Sequence, residues 1–88
     1  MITRLYIGSN NTTHKVEKDK ITIILNNYLD GYSIINTVGY WQGINEKSVI
    51  VEIINEEVKK EVIQILKEDL QQYSILVTVD TSSIVTFY

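Results

Sequence analysis

The sequence predicts an α+β domain in which one antiparallel sheet carries both of its helices on a single face. Three observations predict it. Two segments repeat apolar residues at helical spacing, Ile21, Ile24, Leu25, Tyr28 and Leu29 in the first, and Val58, Val62, Ile65, Leu66 and Leu70 in the second. Alternating β-prone runs stand before, between and after these segments. With 44% hydrophobic and 22% charged residues in 88, the composition supports a packed core over disorder, and the length fits one domain, residues 1–88.

Ile2–Ile7 reads as the first strand, closed by the turn-forming run Gly8-Ser9-Asn10-Asn11-Thr12-Thr13. A helix is expected from about Glu17. Asp30-Gly31 stops it, with Gly31 in the left-handed conformation that ends many helices. The second strand covers about Tyr32 to Trp41 and kinks at Gly39. Gly43–Lys47 forms a hairpin connection into the third strand, Ser48–Ile54. Asn55 is the expected N-cap of the second helix, with Glu56 and Glu57 in its first turn and Glu56 placed to pair with Lys60. Tyr73–Val79 is the fourth strand. A turn at Asp80–Ser83 then leads to a short terminal strand, Ile84–Tyr88. The order β-α-β-β-α-β, plus this added strand, is the ferredoxin-like plan, whose right-handed crossovers place strands one and three in the centre.

Alternation assigns faces. Leu5 and Ile7, with Val49, Val51 and Ile53, should meet the helices. Arg4, Tyr6, Ile50, Glu52 and Ile54 should point the other way, joined by aromatics of strand two. A sheet face of that character on so small a protein is expected to be covered by another copy. Tyr6, Ile50, Glu52, Ile54 and Trp41 are the expected interface residues, and Arg4 is expected to pair with Glu52 across the sheet or across subunits.

Charge and motifs exclude more than they identify. The net charge of −3 repels nucleic acid, and no apolar run approaches the roughly 20 residues of a membrane span. No leader segment is visible, so a cytoplasmic location is expected; the absence of cysteine excludes disulfides and thiolate metal sites. The single histidine, His14, has no second histidine to build a metal site with, and no metal or cofactor is expected. Neither a nucleophile elbow nor a phosphate-binding glycine loop is present.

Two stretches are candidate binding elements. Ser9–His14 offers donors and acceptors without net charge and leads to a helix N-terminus, although an ordinary turn with a cap would look the same. Gly39-Tyr40-Trp41-Gln42-Gly43 concentrates rigid aromatic surface that suits either a planar ligand or a subunit contact. The candidate ligand-binding residues are Arg4, Asn10, Asn11, Thr12, His14, Lys15, Tyr40, Trp41 and Gln42; no residue is assigned a catalytic role.

Arg4-Leu5-Tyr6-Ile7-Gly8, Gly31-Tyr32, Gly39–Gly43 and Lys47-Ser48-Val49-Ile50-Val51 together resemble a family of small bacterial domains of unknown function. That family has an R-L-Y-F-G opening and a G-x-W-x-G centre before a K-S-x-x-x strand. The resemblance implies a ferredoxin-like fold and no established activity. The chain departs from the pattern by lacking proline and a leader segment, so the secreted setting of many such domains is not carried over. In layout it is also similar to the PII and CutA group of small trimers, which bind ligands between subunits, without their diagnostic motifs. Its short, acidic, Lys/Ile/Asn-rich character is similar to that of bacteriophage products, among them compact oligomers that sequester nucleotide immune signals.

The expected function is a non-catalytic homo-oligomer that binds or sequesters a nucleotide-like molecule at subunit clefts. Tyr40 and Trp41 would stack on the ligand, Asn10, Asn11 and Thr12 would hydrogen-bond it, and Arg4 or Lys15 would meet a phosphate. The alternatives are a protein-interaction module such as a phage inhibitor of a host protein, and a small α+β barrel enzyme using His14 or a tyrosine as acid.

Overall fold

A computed structural model describes residues 1–81, with Trp41 described by its backbone alone. The expected terminal strand Ile84–Tyr88 lies outside the described residues. The elements run β1 (Ile2–Ile7), α1 (Lys18–Asn26), β2 (Ser33–Trp41), β3 (Ile44–Ile54), α2 (Lys60–Asp69) and β4 (Leu76–Asp80). The strands form one antiparallel sheet in the order β2-β3-β1-β4, which is the ferredoxin-like arrangement with β1 and β3 central.

Alternation along the central strands decides the packing. Thr3, Leu5 and Ile7 of β1 and Val49, Val51 and Ile53 of β3 are buried. The apolar members join Ile21, Ile24, Leu25 and Leu29 from the first helical stripe and Val62, Leu66 and Leu70 from the second in one core. Val58, Ile63 and Ile65 pack partly against that core. The other face carries cross-strand rows that the register makes explicit. Leu76, Tyr6, Ile50 and Ile35 form an apolar row across all four strands, beside a polar row of Thr78, Arg4, Glu52 and Ser33. Arg4 Nε donates to Glu52 Oε2 at 3.0 Å across the central pair.

Several boundaries differ from expectation. The first helix ends at Asn26, where Asn27 closes it in right-handed geometry and donates its side-chain amide to the Ile23 carbonyl at 3.1 Å. Gly31 is not left-handed: it sits four residues beyond that closure. Glu56 is not in a helix either. Its carboxylate accepts the Asp30 N–H at 3.0 Å and the Gly31 N–H at 3.4 Å, so it closes the α1–β2 connection instead of pairing with Lys60. Asn55 caps no helix; it takes a left-handed φ of 54°, and its Oδ1 accepts from the Met1 ammonium at 2.9 Å. The second helix consequently starts at Lys60, and β4 starts at Leu76, after Gln71 turns the chain with a positive φ.

The hairpin is tighter than the sequence suggests. Gln42 and Gly43, with φ of 51° and 77°, make a two-residue turn between Trp41 and Ile44, as in a type I′ turn whose twist matches that of the strands. The ladder continues through Gly39 opposite Glu46 without the expected kink. Tyr32 does not join the helix-free face; it packs against the core and its hydroxyl donates to Asn26 Oδ1 at 2.7 Å.

Strand and helix lengths do not match. A helix of nine or ten residues spans about 15 Å, whereas an eleven-residue strand spans about 36 Å. The far end of the β2–β3 hairpin therefore runs past the helices, and Val38, Tyr40 and Ile44 are exposed there.

Leu66 is wholly buried among residues of both helices and the sheet. Leu66→Ala is expected to lower stability by about 2–5 kcal/mol in equilibrium urea unfolding. A loss below about 1 kcal/mol would show that α2 packs less tightly than this core implies.

Candidate functional site

The loop between β1 and α1 is built around a buried asparagine. Asn10 Oδ1 accepts the backbone N–H groups of Thr12 at 2.7 Å and Thr13 at 3.0 Å, and its Nδ2 donates to Glu17 Oε1 at 2.5 Å. The Asn10 N–H donates to the Lys15 carbonyl, and the His14 N–H to the Asn10 carbonyl, each at 2.8 Å. This closed turn holds His14 at a φ of 60°, a left-handed conformation that histidine tolerates better than most residues.

Distant residues clamp the same loop. Ser9 Oγ donates to the Lys47 carbonyl of β3 at 2.7 Å. The Gln72 amide accepts the Gly8 N–H at 3.2 Å and donates to the Ser9 carbonyl at 2.8 Å. Asn11 Nδ2 donates to the Gln71 carbonyl at 2.6 Å, and Thr12 Oγ1 bonds to the Gln71 side chain.

Between this loop and the β2–β3 hairpin lies an open groove of about 1220 Å³. Its loop-side wall presents His14, Lys15, Lys18 and Lys20; its strand-side wall presents Asn36 and Val38 of β2 and Asn45 and Lys47 of β3. The wall carries Lys15, Lys18, Lys20 and Lys47 against Glu17, Asp19 and Glu46, while the whole chain has 8 basic and 11 acidic residues. Glu17 is further occupied by Lys20, whose Nζ lies 2.7 Å from its Oε2. That bridge offsets one charge of each sign, so the lining keeps an excess of one positive charge on an acidic protein, and its amides suit a hydrogen-bonding ligand.

The candidate residues named from sequence do not share one place. His14 and Lys15 line the groove. Asn11 and Thr12 line a smaller recess with Gln64, Lys67 and Tyr73. Asn10 lies inside the loop with its amide engaged. Arg4 is on the helix-free face, paired with Glu52 and separated from the groove by the sheet. Tyr40 stands exposed near the hairpin end, Gln42 is in the turn, and Trp41 is opposite Ile44 in the register. The lysines at 18, 20 and 47 and the amides at 36 and 45 line the groove but are not among the candidates named from sequence. One signal was available: Lys47 and Asn45 continue the inward alternation of Ile53, Val51 and Val49 beyond its last apolar member.

No family model matches the sequence, and no curated protein matches it. Among solved structures, a phage SAM lyase in the apo state superposes with a TM-score of 0.62 at 24% identity, covering 86% of this chain and 75% of that one. The divalent ion tolerance protein CutA1 from Ehrlichia chaffeensis superposes with a TM-score of 0.42 at 15% identity, over 94% of this chain and 84% of that one. The likeness to the lyase is one of fold. Among the described residues no helix is long and apolar enough to cross a membrane.

The Glu17 carboxyl titrates below its ordinary value of 4.5, chiefly through its bond to Lys20, which outweighs the opposing effect of desolvation and is assisted by the Asn10 amide and the Lys20 charge. A carboxyl lowered on folding contributes stability above its unfolded pKa, and that contribution is lost as pH falls through the folded value. Wild type is therefore expected to lose order in the 9–17 loop below about pH 4.5, measured as faster amide exchange there, and Glu17→Gln to show a flatter dependence over the same range. Identical profiles would remove Glu17 as the anchor of the loop.

Proposed function

We propose that the chain acts as a homo-oligomer that binds a small nucleoside-type ligand in the groove between the β1–α1 loop and the β2–β3 hairpin, without turning it over. The observation that carries this reading is the groove itself. Its walls combine four lysines and three carboxylates with the amides of Asn36 and Asn45, and its volume of about 1220 Å³ exceeds the roughly 300–1,000 Å³ of a closed small-molecule pocket, so a ligand would occupy part of an open groove. His14 and Lys15 would contact the ligand from the loop. Self-association is supported by the helix-free face, where the row Leu76, Tyr6, Ile50 and Ile35 is apolar, and Ile35, Ile54 and Leu76 are exposed. Tyr6, Ile50, Glu52 and Ile54 would then be covered by another copy, with Trp41 at the margin of the contact.

S-adenosylmethionine is the first ligand to test, because a phage protein of the same fold is a SAM lyase. A phage setting, and a counter-defensive role within it, belong to the same proposal. A second reading, an enzyme acting on the same ligand class with His14 as acid, draws on that same neighbour and on the presence of His14 in the groove.

One ligand panel separates the readings. S-adenosylmethionine, cyclic nucleotides and ADP-ribose-type nucleotides are each added at millimolar concentration, and the melting temperature is followed. A ligand present at a hundred times its Kd is expected to raise it by roughly 10 °C or more, and Lys47→Ala to abolish the rise. Consumption of S-adenosylmethionine by substoichiometric protein, lost in His14→Ala, would replace the binding reading with the enzymatic one. No shift with any ligand and no consumption would reject both.

A further inference from the structure

Strand β2 is an edge of the sheet among the described residues, and it lacks the protection that edge strands ordinarily carry. Its nine residues, Ser33 to Trp41, contain no charge and no proline, and they pair with β3 without a bulge. The geometry of the hairpin determines which backbone groups this edge presents. In the two-residue turn Trp41 and Ile44 form a hydrogen-bonded pair, and such pairs alternate along an antiparallel ladder. Ser33, Ile35, Thr37, Gly39 and Trp41 therefore spend their N–H and C=O groups on β3. Ile34, Asn36, Val38 and Tyr40 direct theirs outward.

A second observation falls on the same strand. Gly39 has no positive φ, and a Cβ placed on it would meet only the Glu46 carbonyl at 3.8 Å and Ser48 Oγ at 4.0 Å, both ordinary contacts. Among the described residues nothing requires glycine there. Glycine within a strand often marks a bulge, a bend, or a place where a ligand or another backbone approaches closely.

We propose that the β2 edge pairs antiparallel with β2 of a second copy about a two-fold axis through Thr37. This rests on the homo-oligomer of the preceding reading and names one of its contacts. Only a centre at Thr37 lets the whole nine-residue strand pair with itself. That register sets Ile34 against the partner's Tyr40 and Asn36 against the partner's Val38 as hydrogen-bonded pairs, so all four outward-facing residues find partners. It also sets Ile35 against the partner's Gly39, where the missing Cβ leaves room for the isoleucine. Because Asn36 and Val38 line the groove, the partner's Val38 and Tyr40 would extend the groove wall past the edge of the sheet. Tyr40, exposed and on the groove side of the sheet by its pairing with Asn45, would thereby reach the site of its neighbour.

The test uses the absence of cysteine from the chain. In the proposed register Thr37 faces its own copy as a non-hydrogen-bonded pair, whose Cα atoms stand about 4.5 Å apart, within the range a disulfide spans. Mild oxidation of Thr37→Cys is expected to convert most of the protein into a covalent dimer of twice the 10.2 kDa chain mass, and oxidation of the exposed control Ile23→Cys is not. Val38→Pro removes an outward N–H without touching the internal ladder, so it is expected to keep the far-UV circular dichroism of wild type while native mass spectrometry shows loss of the dimer. If wild type is oligomeric but Thr37→Cys crosslinks no faster than Ile23→Cys, the edge pairing is wrong and the homo-oligomer reading stands. A wild type that is monomeric at every concentration overturns both.

Discussion

The pairing of β1 with β3 sets which side of every other element is buried. Leu5 lies opposite Val51 and Ile7 opposite Val49, and this row of inward residues is the floor on which both helices pack. The same register puts Arg4 opposite Glu52 on the other face, where the two side chains meet. Side chains alternate with a period of two, so a slip of one residue in a central strand would drive a charged side chain into the core and turn leucine and valine outward. Burying an unpaired ion costs several kcal/mol, far more than the part-exposed pair itself contributes. The charge pair therefore acts on the alternatives to the native register more than on the native state's own stability.

From that floor the site follows by length. The two helices cover only part of strands that extend well beyond them, so the inward-facing side of the β2–β3 hairpin has nothing apolar to meet at its far end. The sequence changes character at that point, from Val49 to Lys47 and Asn45 on β3 and from Ile34 to the mixed series Asn36, Val38 and Tyr40 on β2. The β1–α1 loop approaches this polar surface but does not fill the gap. Ser9 bonds it to the β3 backbone, Gln72 to the α2–β4 connection, and Asn10 closes it on itself. A groove with one wall of strand and one wall of clamped loop is the consequence.

Periodicity made the architecture legible. Both helical stripes apart from the exposed Tyr28, the two central strands, their inward faces and the Arg4–Glu52 juxtaposition follow from spacing alone, because burial acts directly on every second or every third and fourth residue. The boundaries were less accessible, since they depend on partners remote in sequence. Asn55 looks like a helix cap until Met1 is brought beside it, and Glu56 looks like a first-turn acid until its carboxylate meets the amides of Asp30 and Gly31. The β1–α1 loop illustrates the same limit. Asn10, Asn11 and Thr12 have the chemistry of ligand contacts, yet Asn10 bonds within the loop while Asn11 and Thr12 bond to Gln71, some sixty positions away. Local composition identifies groups able to hydrogen-bond; it does not identify which of them the fold will use internally.

Strand β2 departs from the rest of the sheet in a way that the core does not explain. Each of the other strands carries at least one charged residue: Arg4 on β1, Glu46, Lys47 and Glu52 on β3, and Asp80 on β4. At the chain's 22% charged content, nine residues would carry about two charges, and β2 has none although it occupies an edge. Among the described residues only Ile34 of this strand packs against the core, and no contact at position 39 requires glycine. Both features have the same explanation if the edge is a surface between copies. A charge there would have to be desolvated, and a side chain at 39 would stand where the partner's Ile35 must pack.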